Sequence, residues 1–326
     1  MKQFKNILLV LDGNSNPKLA LTRAFELAKA NKAHLKIIDV LENLAPEIQF
    51  GTASELTKLI LEKQDLMDQA ILSRKTEIQN TINSFNLDNI SISSDVLNGK
   101  PYFEIIREVL RFNFDLVIKN AEGEAGLMCG ILGSNDIHLI RNCICPVWLI
   151  KPDQSIKFNR ILAAVDTNPF SNNEEEDLMN RKIVDLALSL ARKEHSELHV
   201  LHVWDFIGNS RLNSWGANIP GLKLKEFKAK EKIYRKESLN QLISLFSFND
   251  VNSKAHLIEG DPKKEIAKFA KDKNIDLLVM GTVGRSGIPG LIIGNTAETI
   301  LNKINCSLLT IKPDGFISPI TLENEN

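Results

Sequence analysis

Short apolar runs recur along the chain and alternate with segments whose apolar residues repeat at helical spacing. Such runs are typical of strands that a parallel sheet buries on both faces. They predict five strands in each half of the chain: 7–11, 35–40, 90–96, 116–118 and 147–150, then 161–165, 198–203, 253–258, 277–280 and 308–311. Regions 45–85 and 206–246 are predicted to be largely helical, and Asp261 is a predicted N-cap for a helix that begins at Pro262. This alternation predicts an α/β fold with helices on both faces of a parallel sheet.

The second half of the chain repeats the first. Residues 145–153 align with 306–314 at an offset of 161, the difference between 306 and 145. The first strands of the two copies align at a shorter offset, so the second copy contains extra residues. We place them in an acidic, solvated loop at 172–177. The predicted organisation is a first domain at 1–153, a second at 154–314 and a C-terminal tail at 315–326.

Length and charge agree with two ordinary globular domains. The chain has 326 residues, with 40 basic and 41 acidic side chains and a formal net charge of -1. This balance argues against a nucleic-acid-binding protein, which usually has a basic excess. No apolar run approaches the ~20 residues of a membrane span, and the N-terminus lacks a signal-peptide pattern. We therefore expect a cytoplasmic protein whose four cysteines are reduced.

A glycine-rich segment follows the fourth predicted strand of the second copy. Gly281 and Gly284 are separated by two residues, and nine residues lie between Gly284 and Gly294. Glycine lets backbone N–H groups approach a phosphate closely, and a helix predicted to begin near Asn295 adds free N–H donors. Open parallel sheets bind ligands at the carboxyl ends of their strands, where this segment starts. The segment is therefore predicted to bind phosphate, unless its glycines serve only tight turns.

The spacing resembles the ATP motif of the universal stress protein family, Gly-x2-Gly-x9-Gly followed by Ser or Thr. Asn295 departs from that pattern, although Thr296 follows at once. The resemblance covers nearly the whole chain in two copies, and the run 294–298 is similar to that of tandem members. It implies two tandem, doubly wound, parallel five-stranded sheets flanked by helices, an adenine nucleotide alpha hydrolase-like fold. It also implies that the second copy binds ATP, with or without Mg²⁺.

Site residues are carried over from the resemblance one by one. Asp166 would contact the nucleoside, the backbone of Val203 would read adenine, and Met280 would pack on the nucleotide. The remaining positions surround ribose and phosphates: Gly281, Gly284, Gly294, Asn295 and Thr296. The alternative interpretation is that Asp166 only caps the turn that follows it.

The first copy departs from the motif. Asn120 stands where the second copy has Gly281, and Glu122 and Glu124 add carboxylates that repel phosphate. Asp12 and the pair 133–134 are retained. We expect this copy to bind ATP weakly or not at all.

Other chemistries have little support. The chain has no Walker loop, dinucleotide-binding loop or nucleophile elbow, so we identify no catalytic residue and expect slow hydrolysis at most. His199 and His202 are three apart on a strand and face opposite ways, which argues against a metal site. His34, His138 and His256 look isolated.

The leading hypothesis is a stress-response protein with regulatory binding of an adenine nucleotide. The alternative is a non-catalytic binding or scaffold module for an apolar or anionic, lipid-like small molecule, based on Phe206, Trp215 and the basic stretch 223–236. That stretch is otherwise a solvated helix face. A true ATPase is a third option. The family resemblance also implies that strands 147–150 and 308–311 pair, giving an intramolecular pseudo-dimer, or a homodimer.

Overall fold

A computed structural model describes most of the chain. The described residues are 4–11, 17–42, 53–85, 90–122, 133–151, 157–171, 173–206, 221–282, 294–301 and 303–322, and for 53–59, 221–222, 295–296 and 301 the backbone alone. The chain divides into two compact units. The first unit contains residues 3–122, 134–152 and 318–322, and the second contains 153–317.

The first unit alternates strands and helices. Its elements are β1 (Asn6–Leu11), α1 (Lys18–Asn31), β2 (His34–Leu41), α2 (Ala53–Asn83), β3 (Ser91–Asn98), α3 (Pro101–Phe112), β4 (Leu116–Asn120), α4 (Ser134–Asn142) and β5 (Val147–Ile150). The strands pair in the order β3-β2-β1-β4-β5, and every pairing within the unit is parallel. This is the predicted five-stranded, doubly wound arrangement.

The second unit repeats this plan. Its elements are β6 (Arg160–Val165), α5 (Glu174–Glu194), β7 (Glu197–Trp204), α6 (Gly221–Ser244), β8 (Ser253–Glu259), α7 (Pro262–Asp272), β9 (Leu277–Gly281), α8 (Asn295–Leu301) and β10 (Ser307–Ile311). The order is β8-β7-β6-β9-β10, again with parallel pairings. The central strands β6 and β9 are almost completely buried, which explains their continuous apolar runs.

One sequence prediction fails in the second unit. The acidic stretch predicted to be a loop is helical from Glu174 to Asp177, because α5 begins at Glu174. The side chain of Asn173 caps the helix by accepting the backbone N–H of Glu175 at 3.0 Å. The acidic residues form the first helical turn, where negative charge interacts favourably with the free N–H groups and the helix dipole.

The duplication extends to backbone detail. Gly99 and Gly260 both have positive φ, at 148° and 154°. Each donates its N–H at 3.0 Å to the last residue of the second strand of its unit, Leu41 and Trp204 respectively. A Cβ at either glycine would lie under 3.0 Å from the Cγ of a glutamate in the following helix. Glycine is therefore required at both positions.

The two helices that follow these glycines differ in their caps. Asp261 accepts the N–H of Lys263 at 3.0 Å, whereas Lys100, with nearly the same backbone angles, gives α3 no side-chain cap. We expect Lys100→Asp to stabilise the first unit by about 1 kcal/mol and Asp261→Ala to destabilise the second by about as much. Urea denaturation followed by hydrogen exchange reads each unit separately. A loss in Asp261→Ala without a gain in Lys100→Asp would contradict this equivalence.

Among the described residues, no helix is both long enough and apolar enough to cross a membrane.

Candidate functional site at the carboxyl edge of the second sheet

The order of the second sheet places a crevice where β6 and β9 lie side by side. From these central strands the chain continues towards opposite edges of the sheet, which is the usual ligand position in open α/β folds. Register pairs Ala164 with Met280 and Val165 with His202. Asp166, Val203 and Gly281 therefore follow at the same edge. Four predicted site residues thus lie at this edge: Asp166, Val203, Met280 and Gly281.

Asp166 is held by its backbone and leaves its carboxylate accessible. Its N–H donates to Oδ1 of Asn180 at 2.9 Å, and Nδ2 of Asn180 donates to its carbonyl at 3.0 Å. The carboxylate is 56% exposed and lies 3.9 Å from Nδ1 of the buried His202. His202 Nδ1 in turn lies 3.2 Å from the carbonyl oxygen of Val165, which can only accept, so this nitrogen carries the hydrogen. Asp166 thus presents an oriented carboxylate at the end of β6.

Two buried hydroxyls follow the ends of these two strands, β6 and β9. Thr167 follows Asp166 and is 4% exposed, while Thr282 follows Gly281 and is 1% exposed. Neither Oγ1 has a hydrogen-bond partner within the described residues. Leaving a buried hydroxyl without a partner costs about 1–3 kcal/mol. A ligand bearing phosphate or ribose oxygens would offer such partners, so the donor set fits the group implied by the motif.

The backbone holds the two ends of the glycine segment together. The N–H of Gly294 donates to the carbonyl of Thr282 at 2.7 Å, and the N–H of Thr282 donates to Ile311 at 3.2 Å. The helix predicted near Asn295 is confirmed as α8, with Ala297 and Ile300 buried. Gly284 lies outside the described residues, as do the side chains of Asn295 and Thr296.

Gly281 lies against helix α5. A Cβ built there would meet Met179 Cγ at 3.4 Å and Ile183 Cδ1 at 3.7 Å, both on α5. These are ordinary van der Waals distances, and Gly281 is not among the residues with positive φ. At the equivalent position of the first unit, Asn120 is accommodated as a buried residue. The structure therefore gives no local steric reason for a glycine here.

Val203 and Met280 are buried strand residues. The neighbouring Trp204 ring lies 5.6 Å from the guanidinium carbon of Arg235, on α6. Arg235 is buried and bound by Glu231 through two nitrogens at 2.7 and 2.9 Å. The interpretation of 223–236 as a purely solvated face is therefore wrong at Arg235. Trp215 lies outside the described residues.

The first unit has an ion cluster at the equivalent sequence positions. Lys119 aligns with Met280, and Asp136 aligns with Ala297, each at the offset of 161 residues that relates the two copies. The Lys119 ammonium donates to Asp136 Oδ1 at 3.0 Å and Glu122 Oε1 at 3.2 Å. Lys119 is 2% exposed and Asp136 is fully buried.

The backbone N–H of Glu122 donates to the other oxygen of Asp136, Oδ2, at 2.6 Å. Burial raises the pKa of Asp136 to about 6, although the Lys119 charge opposes the shift. The carboxylates of Asp136 and Glu122 already surround the Lys119 ammonium, which is the only described cation of this cluster. An anionic ligand group would therefore be repelled by negative charge. This agrees with the expectation that the first copy is degenerate.

Sequence reasoning missed several residues at these sites. Asn180, Thr167 and Thr282 carry no motif, and their roles depend on which elements become neighbours. The aligned copies have Lys119 in the first and Met280 in the second, and this difference was the signal that could have revealed the ion cluster. His256 was wrongly interpreted as isolated, because it lies 3.0 Å from His199. His34 and His138 also have neighbours: Ser91 Oγ lies 2.9 Å from His34, and His138 stacks on Tyr102.

Comparisons with known proteins agree on both units. The model of the "Universal stress protein family" matches residues 3–151 and 157–312. The chain is 29% identical to Universal stress protein E of Salmonella typhi, over 100% of both chains, and of Escherichia coli K12, over 100% of this chain and 99% of the relative. A crystal structure of a functionally unknown protein from Pseudomonas aeruginosa PAO1 superposes with a TM-score of 0.66 at 24% identity, covering 95% of this chain and 93% of that one.

Proposed function

Since the chain belongs to the universal stress protein family, as a tandem member similar to Universal stress protein E, we propose that its second unit binds an adenine nucleotide. Family membership links the protein to the stress response. ATP, with or without Mg²⁺, is the proposed ligand, and its binding is regulatory. The proposal concerns occupancy of the site and not turnover.

The observation that carries the proposal is the pair of buried hydroxyls of Thr167 and Thr282. They follow adjacent central strands at the crevice, and within the described residues neither has a partner. A hydroxyl both donates and accepts, so it suits the mixed oxygen groups of ribose and phosphate. The glycine spacing that begins at Gly281 supports the same ligand.

Each site residue has a distinct proposed task. The Asp166 carboxylate accepts hydrogen bonds from ribose hydroxyls, because Asn180 fixes its backbone and its side chain is accessible. Val203 presents backbone groups to adenine, and Met280 provides apolar contact beneath the nucleotide. Gly284, Gly294, Asn295 and Thr296 stay predicted phosphate and ribose contacts. A bound Mg²⁺ would neutralise part of the phosphate charge.

Calorimetric titration with ATP tests the proposal. We expect saturable binding at one site per chain, since the first unit carries its own carboxylates. Thr282→Val removes the hydroxyl at constant shape and is expected to weaken binding by about tenfold, which corresponds to the ~1.4 kcal/mol of one good hydrogen bond. Thr282→Ser keeps the hydroxyl and is the matched control, with affinity expected close to wild type.

Three outcomes count against the proposal. Absence of any adenine-nucleotide affinity in the wild type ends it. Equal weakening in the valine and serine variants removes the hydroxyl argument. Native mass spectrometry of protein purified from cells provides the third, because a co-purifying lipid-like mass in place of a nucleotide would favour a different ligand.

A further inference from the structure

A polar cavity of about 270 Å³ lies at the amino edge of the second sheet, opposite the edge that carries Asp166 and Gly281. The starts of β6, β7 and β8 and the end of α7 line it. Because all strands of the unit are parallel, their amino ends meet here and bring distant side chains together. The proposed nucleotide site does not use any of these residues.

Two histidines form one side of the cavity. His199 Nδ1 lies 3.0 Å from His256 Nε2, and the Phe269 ring packs against both imidazoles. One hydrogen is shared between these nitrogens. His199 Nε2 lies 3.7 Å from the carboxylate of Glu197, which favours a hydrogen on Nε2 and therefore donation from His256 to His199.

His199 Nε2 then carries an N–H for which the described residues offer no acceptor. His199 is 2% exposed, and its Nε2 has no hydrogen-bond partner within the described part of the chain. The separation from Glu197 exceeds hydrogen-bond length. A buried donor left unsatisfied is unfavourable, so this N–H favours an acceptor placed in the cavity.

The charges around the cavity favour an anion. Lys254 Nζ lies 2.5 Å from Glu197 and Arg160 Nε lies 3.8 Å from it, so this carboxylate is already compensated. Lys273 makes no ion pair with a carboxylate among the described residues. Three basic side chains therefore line the cavity against two acidic ones, Glu197 and Asp272. The last carbonyls of α7 accept N–H groups of residues 273–275, so the negative end of the helix is largely satisfied.

We infer that this cavity binds a small dianionic oxyanion, such as a sulfate- or phosphate-type group, which accepts the Nε2–H of His199 and lies beside the Lys273 ammonium. No cluster of three His, Cys, Asp or Glu residues that could hold a metal ion occurs among the described residues, so a metal is not the expected occupant.

Binding should be linked to protonation of the histidine pair. Burial lowers the pKa of both His199 and His256, and the positive charges of Lys254 and Lys273 lower both further, while Glu197 opposes. A bound anion adds a favourable partner for the imidazolium and raises these pKa values. The bound state therefore takes up protons, and affinity rises as the pH falls below the ordinary histidine value.

Sulfate is the suitable probe, because its charge is constant between about pH 5.5 and 8. We expect the imidazole ¹⁵N signals of the full chain to shift saturably with sulfate at fixed ionic strength, with about tenfold tighter binding at the lower pH. Lys273→Gln should weaken binding about threefold to fivefold, and the nearby Lys271→Gln, which does not line the cavity, should leave it unchanged. Acetate should bind at least about threefold more weakly than sulfate.

Each measurement has a result that would contradict the site. The site is overturned if sulfate causes no imidazole ¹⁵N shift, or if the two lysine variants weaken binding equally. Affinity independent of pH would exclude the imidazoles from it, and acetate binding as tightly as sulfate would overturn the assignment to dianions. None of these readouts depends on ATP, so this inference and the nucleotide proposal fail separately.

Discussion

Lys119→Met is expected to destabilise the first unit by about 3–5 kcal/mol, the cost of leaving a buried carboxylate without its partner. The methionine is the residue that the second unit has at the equivalent position, so the shape is one that this fold accepts. Asp136 is fully buried and would face the apolar side chain instead of the ammonium at 3.0 Å. Hydrogen exchange during urea denaturation measures the loss in β4 separately from the second unit.

A double-mutant cycle separates the ion pair from other effects of the substitution. Asp136→Ala introduces the residue that the second unit has at the equivalent position, Ala297. The double variant Lys119→Met/Asp136→Ala removes both charges. The double variant should lose about 1–3 kcal/mol less than the sum of the single variants. Strict additivity would contradict the assignment of Lys119 and Asp136 as an energetically coupled pair.

The loss in Lys119→Met should depend on pH. The pKa of Asp136 in the folded wild type, about 6, lies above the ordinary aspartate value of 3.8, so the folded state binds more protons between these values. Its contribution to stability is therefore largest at low pH and falls as the pH rises towards 6. Without Lys119 this pKa rises further, and the carboxylate is neutral at pH 5. The difference between wild type and variant should be small at pH 5 and largest above pH 7.

Gly281→Glu is expected to destabilise the second unit by about 1–3 kcal/mol through overpacking against α5. The side chain would start 3.4 Å from Met179 and bring a carboxylate towards Met179 and Ile183, which are apolar. A loss of ATP binding in this variant would therefore not be selective for the phosphate contacts. Thermal denaturation of the same variant, measured alongside the ATP titration, detects such a loss of stability.

Gly281→Ala is the matched control. Its added methyl group meets α5 at ordinary contact distance, and we expect stability within about 0.5 kcal/mol of wild type and unchanged ATP affinity. A tenfold loss of affinity at unchanged stability would show that position 281 contacts the ligand directly and would contradict its placement against α5.

The strands illustrate how far local pattern reaches. Each of the ten predicted runs lies within or overlaps a strand, and Asp261 caps α7 as expected. Burial on both faces of a parallel strand is recorded in every residue of the run. The acidic stretch 172–177 shows the limit, because charge alone did not distinguish a solvated loop from the first turn of a capped helix.

The sequence by itself determined the duplication, the parallel α/β class and the glycine spacing, since each is recorded in residues close together in the chain or at a constant offset. The tertiary structure decided which side chains meet. Asn180 holds Asp166, and Lys119 pairs with Asp136, only because particular strands and helices are neighbours. His199 and His256 lie 57 residues apart in sequence. Such contacts depend on strand order and register, which no local pattern specifies.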